Sequence, residues 1–174
     1  HGCVSGLIDA ADKVSVGDGT YAFGVSSLKS IPASSSLTCS SSSVSSLVGL
    51  EHVGTLSTVD LNSNSIVDIS TLSTLPELIT LNLSSNSIVD ISPLSNLAQL
   101  ITLNLSSNSI VDISPILTLY ELTTLNMSSN SIVDISSLTT LPSLTSIDIH
   151  SNQISDVSVL INENETTLLP TDVL

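Results

Sequence analysis

The sequence has very little positive charge and few aromatic side chains. Lys13 and Lys29 are its only basic residues against sixteen acidic ones, which gives a net charge of −14 over 174 residues. This balance argues against binding to nucleic acid or to anionic membrane surfaces. Aromatic residues make up 2% of the chain, so any core must be aliphatic. No apolar run approaches the roughly 18 residues that suggest a membrane helix.

The sequence also lacks any set of residues with catalytic or metal-binding spacing. Its histidines, at positions 1, 52 and 150, lie far apart in the chain, and no glycine-rich loop of the phosphate-binding type is present. We therefore expect a protein that is not an enzyme and that holds no cofactor.

The chain does contain a regular 22-residue repeat. Residues 81–102 read LNLSSNSIVDISPLSNLAQLIT, and residues 103–124 read LNLSSNSIVDISPILTLYELTT. A fixed period of this length predicts a stacked solenoid. Each repeat has seven aliphatic positions, which can leave water only when neighbouring repeats stack. In one repeat these core positions are Leu81, Leu83, Ile88, Ile91, Leu94, Leu97 and Leu100.

The pattern Leu-x-Leu-x-x-Asn-x-Ile-x-Asp-Ile-x-x-Leu-x-x-Leu-x-x-Leu resembles the 22-residue leucine-rich repeat of bacterial internalins. The resemblance covers roughly residues 37–161. It implies an α/β solenoid, a right-handed superhelix with a parallel β-sheet on its concave face and short turns or 3-10 segments on its convex face. It also implies an interaction or adhesion module outside the cell or at the cell surface, with a protein partner.

We divide the chain into three regions: an N-terminal cap at 1–36, repeats at 37–168 and a closing segment at 169–174. A cap is expected because a solenoid exposes an apolar cross-section at its end. Ser5–Val14 has apolar residues at helical spacing, and Thr20–Val25 alternates like a strand after the turn signal Asp18-Gly19. The cap is therefore predicted to be a short helix and a strand.

The two cysteines, Cys3 and Cys39, belong to the cap and to the first repeat. Cys39 occupies an inward-pointing core position. A Cys3–Cys39 disulfide would fasten the cap to the first repeat and add about 3 kcal/mol of stability. The alternative is two buried thiols that behave as small hydrophobic residues. An even, small number of cysteines in a Ser/Thr-rich chain points to an oxidising compartment.

An asparagine recurs where the chain leaves each strand, and we predict a structural role for it. A buried amide both donates and accepts hydrogen bonds, so a stack of amides satisfies backbone groups that the bend leaves unpaired. Ser42 stands in this position in the first repeat. The asparagines are Asn64, Asn86, Asn108, Asn130 and Asn152.

An aspartate also recurs, four residues after each asparagine. Carboxylates stacked about 5 Å apart repel one another, so each needs a compensating partner. We expect each to accept a hydrogen bond from the backbone of the following turn. The alternative is a row of Ca²⁺ ions held by carboxylates and carbonyl groups. The residues are Asp68, Asp90, Asp112, Asp134 and Asp156.

The outward positions of the strands form the predicted concave face. In related repeat proteins this face commonly holds the ligand, but here it carries none of the Trp, Tyr, Phe or Arg residues that usually supply interface energy. A uniform lattice of this kind could instead suit carbohydrate or ice. The residues are Thr80, Asn82, Ser84, Thr102, Asn104, Ser106, Thr124, Asn126 and Ser128.

Four valines recur between the core isoleucine and the aspartate of each repeat: Val67, Val89, Val111 and Val133. One interpretation is that each leans over the edge of the core. The other is a contact surface for another copy or another protein, because contiguous exposed apolar strips usually mark interfaces.

Four segments match the N-glycosylation sequon, at Asn82, Asn104, Asn126 and Asn164. Three of them follow automatically from the repeat, and glycans on neighbouring strands would crowd one another. Asn164, near the irregular end, is the most accessible candidate.

These patterns support two functional hypotheses. The first is an extracellular, non-enzymatic interaction or adhesion module. The second is a structural subunit, either bare or glycosylated, that assembles end to end or flank to flank into a fibre or surface layer. Its support is the near-identity of the repeats and the valine row, since a head-to-tail contact propagates without closing.

Overall fold

The computed structural model describes residues 13–15, 21–23, 35–52 and 56–160, and they form a two-stranded hairpin and a six-stranded sheet. The hairpin consists of β1 (Lys13–Ser15) and β2 (Tyr21–Phe23). The strands of the large sheet are β3 (Ser35–Thr38), β4 (Leu56–Asp60), β5 (Thr80–Asn82), β6 (Thr102–Asn104), β7 (Thr124–Asn126) and β8 (Ser146–Asp148).

The large sheet is parallel, and its strands lie in chain order from β3 to β8. Thr80 pairs with Thr102, and Leu81 with Leu103, so the register advances by the 22 residues of one repeat. A parallel neighbour requires a crossover connection, which in proteins is almost always right-handed. Each repeat is therefore one turn of a solenoid, as the sequence predicted.

Each turn returns through a 3-10 segment on the side opposite the strand. In one repeat the N–H groups of Leu94, Leu97 and Leu100 donate to the carbonyl three residues earlier at 2.9–3.0 Å. A 3-10 helix has three residues per turn, so leucines spaced by three all face the core. The segments are Leu50–His52, Ser70–Thr74, Ser92–Asn96, Ser114–Thr118, Ser136–Thr140 and Ser158–Leu160.

The core is a continuous column of aliphatic side chains between the sheet and the 3-10 segments. All seven predicted core positions of the repeat at 81–102 are 1% exposed or less. In the last repeat the packing is looser: Val157, at the position that Ile91 occupies in the repeat at 81–102, is 43% exposed, while Leu160, at the position of Leu94, is buried. The closing segment 169–174 lies outside the described residues.

The N-terminal region differs in part from the prediction. Lys13 and Val14 were expected at the end of a helix, but they pair antiparallel with Phe23 and Ala22. A few apolar residues fit helical spacing and strand alternation equally well, and the predicted turn at Asp18-Gly19 favours a hairpin. β2 lies within the predicted strand Thr20–Val25. Residues 5–12 lie outside the described part of the chain.

Candidate functional site

The recurring asparagines join each turn of the solenoid to the one before it. Asn86 Nδ2 donates to the carbonyl groups of Leu83 and Leu61, both at 3.0 Å. Asn86 Oδ1 accepts from the N–H of Ile66, also at 3.0 Å. The same bonds recur at Asn108, Asn130 and Asn152. This geometry confirms the predicted structural role.

The recurring aspartates cap the turn that leads into each 3-10 segment. In all five repeats the Asp Oδ1 accepts a hydrogen bond at 2.8 Å from the N–H of the serine two residues later. Ser92 Oγ and Ser114 Oγ also donate to the second carboxylate oxygen of Asp90 and Asp112, at 3.0 Å. The compensating partner that the sequence predicted is thus the backbone of the same turn.

These hydrogen bonds favour the ionised form of four of the aspartates. The backbone N–H of the capped serine is the main cause that lowers the pKa of Asp68, Asp112 and Asp134 below the ordinary value of 3.8. The Ser158 hydroxyl is the main cause for the lowered pKa of Asp156. The Asp134 carboxylate raises the pKa of Asp112, but the hydrogen bonds outweigh it. The lowered pKa of these four aspartates favours their negatively charged form at neutral pH.

No group of three or more His, Cys, Asp or Glu side chains within the described ranges is close enough together to hold a metal ion. The alternative of a Ca²⁺ row along the aspartates gains no support from these residues.

On the outward side of the strands, asparagine side chains are held in one orientation. Asn82 Oδ1 accepts from the N–H of Ser84 at 3.1 Å and from its hydroxyl at 2.8 Å. Asn104 with Ser106, and Asn126 with Ser128, repeat this arrangement. The amide nitrogens and the threonines Thr80, Thr102 and Thr124 complete a partly exposed polar lattice.

One residue of this face is not where the sequence predicted. Ser128 is buried, whereas Ser84 and Ser106 are partly exposed. In the next repeat the same position holds His150, a much larger neighbour than serine. The lattice also changes chemically here, since Asn126 Nδ2 donates to Asp148 Oδ2 at 3.3 Å, and His150 Nε2 lies 3.7 Å from Asp148 Oδ1.

The recurring valines remain accessible to solvent along one flank of the solenoid. Val67, Val89, Val111 and Val133 are 58%, 55%, 53% and 50% exposed, respectively. The interpretation that they lean over the core edge therefore accounts for only about half of each side chain. The row ends where the first and last repeats carry serine, at Ser45 and Ser155.

Two of the valines and two of the aspartates line an open groove. It has a volume of about 360 Å³ and is bounded by Val67 and Asp68 of one repeat and by Val89, Asp90 and Pro93 of the next. A second, shorter apolar pair, Ile79 and Ile101, lies at the start of the strands and is 42% and 41% exposed.

Sequence reasoning missed one recurring backbone feature. Ser63, Ser85, Ser107, Ser129 and Ser151 all have φ between 55° and 57°. A residue with a Cβ atom pays roughly 1–2 kcal/mol in this left-handed conformation. The chain turns at this serine, directly before each of the recurring asparagines. The usual signals, Gly or Asn, are absent there, so only the recurrence of Ser-Asn could have indicated it.

Cys39 is buried in the core of the first repeat, in the predicted inward position. Cys3 lies outside the described residues, so the disulfide between them stays a prediction. Asn164 is also outside those residues, and glycosylation at Asn82, Asn104 and Asn126 likewise stays a prediction. No helix in the described ranges combines the length and apolarity needed to cross a bilayer.

Comparison with known proteins identifies the repeat. A family model for leucine-rich repeats (two copies) matches residues 76–118, 98–138 and 120–162, which together make up half of the chain. No curated protein matches the sequence.

Several solved structures are similar to the chain. A leucine-rich repeat protein of Leptospira interrogans shares 25% identity, with a TM-score of 0.60 over 64% of this chain and 30% of that one. The plant peptide hormone receptor RGFR1, in complex with RGF2, shares 29% identity, with a TM-score of 0.57 over 62% of this chain and 19% of that one. An internalin of Listeria monocytogenes shares 29% identity over 76% of this chain, with a TM-score of 0.43. The chain spans 52% of the length of that internalin.

Proposed function

Because the chain belongs to the leucine-rich repeat family, we propose that it acts as an extracellular, non-enzymatic module that binds another protein. The fold is that of a protein-interaction module. The observation that supports a binding role most directly is the exposed row of Val67, Val89, Val111 and Val133. Contiguous apolar strips on a protein surface usually mark contact sites.

The scaffold suits such a role because it presents the row rigidly. Each valine follows a fully buried isoleucine, such as Ile88 before Val89 and Ile110 before Val111. Each also precedes an aspartate whose carboxylate accepts a hydrogen bond from the N–H of the serine two residues later. Since both neighbours are held in place, little conformational entropy would be lost when a partner covers the valines.

An extracellular location is supported by composition rather than by geometry. The chain is rich in Ser and Thr and has only two lysines and two cysteines. We expect Asn164 to carry a glycan more readily than Asn82, Asn104 and Asn126, because these three lie on adjacent strands about 5 Å apart. Mass spectrometry of glycopeptides from the native protein tests this, and an occupancy of the three strand sites equal to that of Asn164 would contradict it.

Site-specific cross-linking tests the binding role. A photo-reactive residue at position 111 should cross-link to a different polypeptide in the native extracellular setting. The control is the same residue at position 99, where Gln99 is exposed but outside the row. Equal yields at 99 and 111, or no cross-link at 111, would reject the row as a binding surface.

Self-assembly into a fibre or surface layer is the second candidate. The row is nearly identical in four successive repeats, so it could receive the same row of another copy. In that case the purified chain scatters light as particles far larger than 18.0 kDa, and Val89→Asp with Val111→Asp shrinks them. A strictly monomeric chain at high concentration would reject self-assembly and leave the first proposal in place.

A further inference from the structure

We propose that the valine row and the adjacent aspartate row together bind a basic amphipathic helix of a partner protein. We call this surface the Val–Asp flank; it consists of Val67, Val89, Val111 and Val133 with Asp68, Asp90, Asp112 and Asp134. The inference rests on the proposed binding role and specifies the partner's chemistry: an aliphatic stripe bordered by Lys or Arg.

The two rows lie side by side, because each valine directly precedes an aspartate in the chain and both are exposed. The groove between two repeats is lined by both, with Val67 and Val89 as apolar contacts and Asp68 and Asp90 as charged ones. A side chain that enters the groove therefore meets aliphatic carbon and carboxylate oxygen together. Leucine or the stem of a lysine fits the first, and an ammonium or guanidinium group fits the second.

The charge of the flank has no counterpart within the repeats. Residues 35–160 contain ten acidic residues and no lysine or arginine. Within the described part of the chain, the close contacts between histidine and carboxylate are those of His52 with Glu51 and of His150 with Asp148, and none of these residues belongs to the flank. The Asp134 carboxylate raises the pKa of Asp112, as expected when like charges lie on adjacent repeats. A cationic partner relieves this repulsion.

A second copy of the chain is a poorer occupant of the flank. It would bring another row of aspartates and a further net charge of −14, with only Lys13 and Lys29 to compensate. Like charges brought together at an interface oppose association. Charge complementarity therefore favours a basic partner over self-association.

The repeat spacing favours a helix over an extended strand. Adjacent parallel strands lie about 4.8 Å apart, so valines recur along the row at about that distance. A helix rises about 5.4 Å per turn. Over the three intervals between four valines, its successive turns therefore move out of line with the valines by only about 2 Å. Alternate residues of a strand lie about 6.7 Å apart, so over the same three intervals they move out of line with the valines by about 6 Å. A helix thus keeps its register with four repeats.

A synthetic peptide tests this inference on the complete chain. The probe is a Leu/Lys peptide of roughly 18 residues, long enough to form a helix with one leucine stripe. The first control is a scrambled Leu/Lys peptide of the same charge without the stripe, and the second is a Leu/Glu helix. We expect the Leu/Lys helix to bind at least tenfold more tightly than the scrambled peptide, and the Leu/Glu helix not to bind.

Two paired variants of the protein separate the two rows. Val89→Ser with Val111→Ser should weaken binding of the Leu/Lys helix roughly tenfold or more, since half of each valine is available for burial. Asp90→Asn with Asp112→Asn keeps the oxygen that caps the turn and should weaken binding mainly at low salt. Ile79→Ser with Ile101→Ser, at the start of the strands, is the matched control and should change affinity less than twofold.

The outcomes separate this inference from the proposed function. Equal affinity for the helical and scrambled peptides would overturn the inference, since charge alone would then explain binding. Equal losses in the valine and isoleucine variants would overturn it as well. If the Leu/Lys helix does not bind although position 111 cross-links to a partner, the binding role stands and the partner's chemistry is different. If neither occurs, both fail.

Discussion

The Asn108 side chain accepts a hydrogen bond at 3.0 Å from the N–H of Ile88, which belongs to the preceding turn. Its amide nitrogen donates to Leu83 and Leu105 at the same distance. One side chain thus satisfies backbone groups of two turns at the point where the strand ends. This relationship explains why an asparagine returns in each regular repeat, because neither an aliphatic side chain nor a carboxylate offers both a donor and an acceptor.

Asn108→Ala should therefore lower the free energy of unfolding by about 3 kcal/mol, since it leaves the Ile88 N–H without its acceptor and removes one of the two asparagine donors from each of the Leu83 and Leu105 carbonyl groups. Asn96→Ala is the matched control: Asn96 is exposed on a 3-10 segment and should change stability by less than about 0.5 kcal/mol. Chemical denaturation measures both. Similar losses of stability in the two variants would contradict the structural role of the recurring asparagines.

The left-handed serines give a second prediction. Ser107 has φ of 56°, and a β-branched side chain fits this conformation poorly. Ser107→Val should cost about 1–2 kcal/mol, whereas Ser107→Asn should be at least as stable as the wild type, because asparagine tolerates the conformation. Ser109→Val, in the same exposed loop, is the control for the change in side chain. If the two valine variants melt at the same temperature, the backbone conformation is not what limits this position.

The aspartate caps predict how stability depends on pH. The pKa of Asp112 and Asp134 is lowered in the folded protein by hydrogen bonds from Ser114 and Ser136. The ionised form is thus favoured by folding, so its contribution is present above the unfolded value of 3.8 and is lost as the pH falls through the lowered folded value. We expect the stability advantage of the wild type over Asp112→Asn with Asp134→Asn to shrink below pH 3.8.

Denaturation curves at pH 7 and at several values below pH 4 measure that difference. Repeating them at high salt screens the general repulsion among the sixteen acidic residues, which acts in the opposite direction. An advantage that stays constant down to pH 2 would show that the hydrogen bonds do not favour the ionised form.

The predicted disulfide is tested on protein made in an oxidising compartment. We expect Cys3 and Cys39 to resist alkylation in the unfolded chain until a reductant is added. Cys3→Ala should lower stability by about 3 kcal/mol through loss of the closed loop. Cys39→Ala should cost more, since it also leaves a cavity in a buried position. Alkylation of both thiols without reduction would rule out the bridge.

Much of the repeat could be predicted from residue spacing alone. The period of 22 residues predicts the pairing of Leu81 with Leu103. Patterns within one repeat predict the burial of Leu94 and Leu97 and the capping role of Asp90. The pairing of Lys13 with Phe23 could not be predicted, because a few apolar residues fit a helix or a strand equally well.

The same limit applied to the candidate site. The sequence placed the valines beside the core isoleucines but left open whether the core edge would cover them. It also grouped Ser128 with Ser84 and Ser106. Ser128 is buried, and the next repeat has the larger His150 at the equivalent position. In both cases the answer depends on what the adjacent turn places against the residue.

The sequence by itself determined that the chain coils with a period of 22 residues. Aliphatic residues recur in phase, and their burial requires only that each turn stack on the next. The tertiary structure decided the environment of the positions between the core residues. It set how much of Val111 stays exposed, which carbonyl groups Asn108 contacts, and the left-handed backbone conformation of Ser107. Those outcomes depend on the exact position of the neighbouring turn, and no residue pattern within one repeat specifies that position.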